Sequence, residues 1–200
     1  WLKQKVDSMV LQWFTGDPAR FGLPKPDYKM YESHPVVNSL ILHHLGHGDI
    51  HVKADVARFD GATVHFKDGT QADYDLILAA TGYKLHYPFL DHALLNWQGM
   101  APRLYLNIFA PRYDRLAVLG MVEASGIGWQ GRYEQAELVA RQFKALDDGA
   151  ASAKALTAAK AGPPPDLSGG YKYLKLERMA YYVHKDTYRA AVRKAAEALG

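Results

Sequence analysis

Apolar positions along this chain change period several times, and each change predicts an element. Leu2, Val6, Met9, Val10 and Trp13 recur at helical spacing, so residues 2–14 read as an amphipathic helix. Gly16, Asp17, Pro18, Gly22, Pro24 and Pro26 then predict a long loop. His34-Pro35-Val36-Val37-Asn38 reads as a helix start with Pro35 at the first position, and Gly46 closes the end. Its expected buried stripe is Val36, Val37, Leu40, Ile41 and Leu45. Residues 51–59, 63–66 and 74–80 read as a three-stranded meander, with Asp60-Gly61 and Asp68-Gly69 as the turns. The third segment, Leu76-Ile77-Leu78-Ala79, lacks alternation and is expected to be a strand covered on both faces. It stops at Thr81-Gly82-Tyr83. There glycine lets the backbone approach a ligand and two hydroxyls are on offer, as at the carboxyl edge of a sheet.

The second half predicts a strand pair at 104–109 and 116–119, a glycine-rich loop, and a helix over 132–146. Tyr133, Ala136, Val139, Ala140 and Phe143 are the expected packed face of that helix. Residues 147–170 are rich in Ala, Pro and Gly, so they read as a weak helix passing into a linker. Residues 171–199 predict two helices with Asp186 capping between them.

Composition narrows the class. The 200 residues are 48% apolar and 22% charged with a net charge of +3, ordinary for a globular chain and too mild to imply nucleic acid. The absence of cysteine excludes disulfide and thiol chemistry. No apolar run approaches the ~18 residues of a membrane span, and a cytoplasmic location is expected. The chain begins with Trp1 rather than methionine and is read as part of a longer polypeptide.

Gly126-Ile127-Gly128-Trp129-Gln130-Gly131 spells G-x-G-x-x-G between a strand and a helix. Residues 120–125 separate it from the strand, whereas a phosphate turn follows its strand directly. Asp147 and Asp148 lead into an alanine-rich stretch, not to the end of a second strand. Three readings stand: a dinucleotide phosphate loop, a structural glycine loop, or a helix start whose N–H groups meet a planar anionic ligand. His43, His44, His47 and His51 are interrupted by Gly46 and Gly48 and read as solvent-facing or capping, with no metal site expected. Ser125 has Glu123 where a hydrolase elbow needs glycine, so that motif is missing. The interleaved Tyr and basic residues of 171–194 suit helix packing better than a nucleic-acid surface, and nucleic acid is not an expected partner.

The ordered series His34–Asn38, Gly48–Lys53, Phe66–Thr70, Asp75–Tyr83 and Pro88–Leu90 resembles the flavin-containing monooxygenase family and its Baeyer–Villiger relatives. Leu119–Glu123 followed by Glu134–Leu138 extends the resemblance, which covers residues 20–145 well and the remainder loosely. It implies an α/β fold: part of a flavoprotein with two dinucleotide-binding domains, containing the meander and the last strand and helix of the FAD domain, plus a helical tail. Residues 1–82 would end an NADP-binding domain, 83–146 would end an FAD-binding domain, 147–170 would be a linker and 171–200 a helical extension. It further implies NADPH reduction of FAD, capture of O2 as a C4a-(hydro)peroxyflavin, and oxygenation of a nitrogen, sulfur or carbonyl substrate. No catalytic side chain is implied. The cofactor-facing residues would be Thr81, Gly82, Tyr83, Gly120, Glu123, Gly126, Gly128, Trp129 and Gln130. The family's two phosphate-binding fingerprints have no counterpart here. The isolated chain is therefore expected to be inactive and to need the FAD and NADP domains of its own polypeptide, with homo-oligomer formation left open. Two other readings remain: another two-dinucleotide flavoprotein such as a reductase, or a cofactor-free interaction or nucleic-acid-binding module using the basic carboxyl-terminal helices.

Overall fold

The computed structural model describes residues 2–34, 38 and 40–200. Its chain divides into two compact units, one made of Trp1–Met30 with Val36–Tyr83, the other of Tyr31–Pro35 with Lys84–Gly200. The architecture is mixed α/β, with five α-helices and small antiparallel sheets among the described residues.

In the first unit, α1 spans Leu2–Thr15 as its periodicity predicts, yet none of its residues is buried. Asp17 accepts from the Ala19 N–H and caps a short 3-10 turn, Pro18–Phe21. Helix α2 covers Leu40–His47, and no residue of it is buried, so Leu40, Ile41 and Leu45 do not form the expected core stripe. The proline start and the Val36 and Val37 positions lie outside the described residues. His47 Nδ1 lies 2.9 Å from the His43 carbonyl, and His44 Nδ1 lies 3.0 Å from Asp49 Oδ2.

The meander forms with shifted boundaries: β1 is Val56–Asp60, β2 Thr63–Phe66 and β3 Gln71–Asp73, paired antiparallel in sequence order. Both glycine turns hold, with φ of 59° at Gly61 and 85° at Gly69, a conformation that suits glycine. The third strand therefore precedes the segment expected for it. Residues 74–80 adopt no strand, and Leu76 and Leu78 are 84% and 85% exposed. The physical reason is pairing. A strand needs a partner on at least one side to satisfy its backbone groups, and β3 bonds only to β2, through Gln71–Asp73.

The second unit holds the larger core. A small hairpin, β4 (Trp97–Gln98) and β5 (Ala101–Pro102), packs over Leu95, Leu104, Ala110 and Met121. The expected pair at 104–109 and 116–119 reduces to an isolated bridge, Phe109 with Ala117, because residues 105–109 fold into a tight turn with Leu106 and Asn107 at positive φ. Helix α3 spans Gly128–Asp147, α4 spans Ala151–Ala161, and α5 spans Lys185–Glu197; α3 packs against both others. The weak helix expected after residue 147 is α4, and it buries Ala153, Leu156 and Lys160. Only α5 and a 3-10 turn at Glu177–Met179 occupy the last segment, and the α5 cap is His184 rather than Asp186.

Helix α3 starts earlier than expected and turns a different face inward. It buries Gly131, Glu134, Gln135, Leu138, Gln142 and Ala145, whereas Tyr133, Ala136 and Ala140 are exposed. Glu134 and Gln135 find partners on that inner face, whereas the buried Oε1 of Gln142 has none among the described residues. Gln135 donates to Tyr188 Oη at 2.6 Å and accepts from the Gly120 N–H at 2.9 Å, and Tyr188 donates to the Leu106 carbonyl at 2.9 Å. Glu134 accepts from Arg189 and Arg193, each at 2.7 Å. Those guanidiniums, Arg189 first, hold its carboxyl at about 2 against the usual 4.5. Burial pushes the Tyr188 phenol up.

The ammonium of Lys160 is also enclosed. It donates to the carbonyls of Ala110 and Tyr113 and to Asp114 Oδ1, which also accepts from Thr157. The bond from Lys160 leads the causes that hold the Asp114 carboxyl below its usual range. Among the described residues no helix is long and apolar enough to cross a membrane.

Candidate functional site: the junction ahead of helix α3

The second unit gathers six of the expected site residues on one stretch of chain. Gly120, at φ 86°, gives its N–H to Gln135, so the buried face of α3 anchors the start of the loop. Glu123 pairs with Tyr182 in a parallel bridge: its N–H bonds the Tyr181 carbonyl at 3.3 Å, and the Val183 N–H bonds its own carbonyl at 2.9 Å. Ala124 and Ile127 are buried in the main core, with Ser125 and Gly126 exposed between them. Gly126 and Gly128 both take positive φ, 74° and 54°, and the chain then enters α3.

No side chain caps that helix. Ile127 occupies the cap position and makes no side-chain hydrogen bond there. The first N–H groups of a helix lack intrahelical partners and carry the positive end of its dipole. Gly128, Trp129 and Gln130 present those groups at an exposed surface. A Cβ at Gly128 would meet nothing within 4 Å, whereas one at Gly131 would collide with the Ile127 side chain. Gly128 thus keeps the approach open, while Gly131 lets Ile127 fold back onto the helix. Trp129 is 85% exposed, and the Arg132 guanidinium lies 5.8 Å from its ring centroid. Arg132 also donates to the Gly128 carbonyl at 2.8 Å, which places a fixed positive charge beside the uncapped turn.

Thr81, Gly82 and Tyr83 belong to the first unit, where they form no regular element and are exposed, with Gly82 at φ 87°. The structure therefore does not gather them with the loop residues in one unit. Sequence reasoning missed Arg132, Gln135, His34 and Tyr182 as neighbours of the loop. Arg132 and Gln135 lie at its end, but Tyr182 and His34 arrive from remote segments with no local signal. A cleft of about 570 Å³ opens beside Tyr182, lined among others by Asn96, Arg103, Tyr105, Pro111 and Pro165. That volume is in the range of small-molecule pockets.

An uncapped helix start of this kind can receive electron-rich ligand atoms, because its first N–H groups lack intrahelical partners. The profile of the flavin-binding monooxygenase-like family matches residues 2–162, and the chain belongs to that family. Among its curated relatives, flavin-containing monooxygenase 2 of Homo sapiens is 31% identical over 148 residues, 72% of this chain and 27% of the relative. The N-oxide-forming dimethylaniline monooxygenase 2 of Rattus norvegicus is 32% identical over 149 residues, with the same coverage. Flavin-containing monooxygenase 5 of Oryctolagus cuniculus is 31% identical over 113 residues, 55% of this chain and 21% of the relative. The chain spans about a quarter of the length of the first two of these relatives.

Proposed function

We infer that the chain is the carboxyl-terminal portion of an FAD- and NADPH-dependent monooxygenase acting on a nitrogen, sulfur or carbonyl substrate. The observation that carries this reading is the uncapped amino terminus of α3, opened by Gly126 and Gly128, in a member of the flavin-binding monooxygenase-like family.

The residues present fit the ring end of a flavin better than its diphosphate. Free N–H groups at Gly128, Trp129 and Gln130 suit the carbonyl edge of the ring, and Arg132 adds positive charge. The Glu123 carboxylate, ahead of the same turn, opposes a phosphate there. A bound flavin supplies the activation of O2, which no side chain here provides. Gly120 and Gln135 hold the loop that would meet it, and Trp129 and Glu123 would contact it there. Thr81, Gly82 and Tyr83 serve as the junction at which the NADP-binding part returns to the FAD-binding part. The missing phosphate cradles come from the rest of the same polypeptide, a partner consistent with the exposed Leu76, Leu78, Trp129 and Tyr133. By itself the 200-residue chain is inactive.

The test uses the complete enzyme. Glu123→Gln and Trp129→Ala each weaken FAD binding about tenfold, equal to about 1.4 kcal/mol, or divert NADPH oxidation from product to hydrogen peroxide. Flavin titration and the product-to-NADPH ratio measure both effects. Unchanged affinity and coupling in both variants would remove the assignment.

A further inference from the structure

Ser125, Tyr182 and His34 come from three separate parts of the chain, yet their polar atoms form an unbroken line. Ser125 Oγ lies 3.2 Å from Tyr182 Oη, and Tyr182 Oη lies 3.1 Å from His34 Nδ1. A hydroxyl, a phenol and an imidazole can each donate and accept, so a hydrogen can pass along all three. The ion pairs elsewhere in the unit lack this property.

The line is held from the backbone. The bridge between Glu123 and Tyr182 sets residue 182 beside the loop, and the Leu174 N–H bonds the Glu32 carbonyl at 2.8 Å, which tethers the segment carrying His34. Ser33 is buried, and the Tyr182 ring meets those of His34 and Tyr173 edge-on. The charged and titratable groups facing His34 are the Tyr182 phenol and Glu123, whose Oε1 is 3.8 Å from Nδ1. Both ends are exposed in this chain: His34 at one, and at the other Ser125, immediately ahead of Gly126 and the open start of α3, where a bound ligand would cover it.

We propose that Ser125, Tyr182 and His34 form a proton wire from solvent at His34 to a ligand atom at the start of α3. The inference rests on the monooxygenase reading, because that reaction consumes a proton. One substrate, one O2, one NADPH and one proton give one oxygenated product, one NADP+ and one water. A proton arriving at His34 Nε2 releases the Nδ1 proton to Tyr182 Oη. The Tyr182 proton then passes to Ser125 Oγ, and the Ser125 proton passes onward. No atom of the wire changes oxidation state. Rotation of the two hydroxyls and tautomer exchange of the ring restore the starting arrangement.

In the flavin-loaded complete enzyme, Tyr182→Phe and His34→Ala each lower kcat at neutral pH by about tenfold to a hundredfold, the lower range of general acid–base effects. FAD affinity and Tm stay at their original values, and added imidazole restores activity to His34→Ala. A second readout needs no cofactor: in the flavin-free protein, Tyr182→Phe moves the 15N NMR signal of His34 Nδ1, because that nitrogen loses its hydrogen-bond partner. Unchanged kcat in both variants overturns the wire. So does a loss accompanied by a lowered Tm and not restored by imidazole, and so does a His34 Nδ1 signal indifferent to Tyr182→Phe. A complete enzyme that binds no flavin refutes the monooxygenase reading instead, and the His34 Nδ1 signal then decides whether the hydrogen-bonded line exists.

Discussion

The two units of this chain treat apolar residues in opposite ways. In the first, Val64 and Phe66 of β2 are the only buried apolar side chains among the described residues, although α1, α2 and the Leu76–Ala79 run all carry strong apolar patterns. In the second, α3, with a largely polar inner face, packs with α4 and α5 around Ile108, Phe109, Leu138 and Tyr188, all fully buried. An apolar pattern states which face seeks cover, and a core forms only where a second element supplies it. A polar inner face is tolerated when each group finds a partner, as Glu134 and Gln135 do.

Deleting the same kind of side chain from each unit tests this contrast most strongly. Tyr188→Ala is expected to cost about 3–5 kcal/mol in urea unfolding, since it opens a cavity and orphans Gln135 and the Leu106 carbonyl. Trp13→Ala, at a position 80% exposed, is expected to stay within about 0.5 kcal/mol. Equal costs would erase the distinction between the units.

A smaller effect comes from acid. The Glu134 carboxyl is held at about 2 in the fold, below its ordinary 4.5. A depressed folded value gives stabilisation that is full above pH 4.5 and fades as pH falls toward 2. The stability difference between wild type and Glu134→Gln should therefore shrink by about 2–3 kcal/mol across that window. A difference independent of pH would show that the two arginines do not hold the carboxylate ionised.

The smallest effect on stability belongs to the exposed run. Leu76→Ser combined with Leu78→Ser should leave the unfolding free energy within about 0.5 kcal/mol while reducing self-association of the 200-residue chain, as followed by light scattering. A large loss of stability would place those leucines in a core after all.

Local chemistry made several features legible in the sequence. The Asp60-Gly61 and Asp68-Gly69 turns, strand β2 and helix α1 follow from glycine's access to positive φ and from helical spacing, which are properties of neighbouring residues. The ordered motifs around Thr81-Gly82-Tyr83 and at Leu119–Glu123 point to the flavin-binding monooxygenase-like family, which the family match establishes.

Other features depended on partners that periodicity does not encode. The apolar positions of α3 read as its core face, yet Arg189, Arg193 and Tyr188 arrive from α5 and draw Glu134 and Gln135 inward. Leu76–Ala79 reads as a buried strand, yet no neighbouring strand pairs with it among the described residues. Sequence alone determined where the backbone can turn and which stretches can be helical, because these are short-range preferences of each residue. Tertiary structure decided which helix faces are covered and which remote side chains meet Ser125, because burial and hydrogen bonding depend on what the rest of the fold brings near.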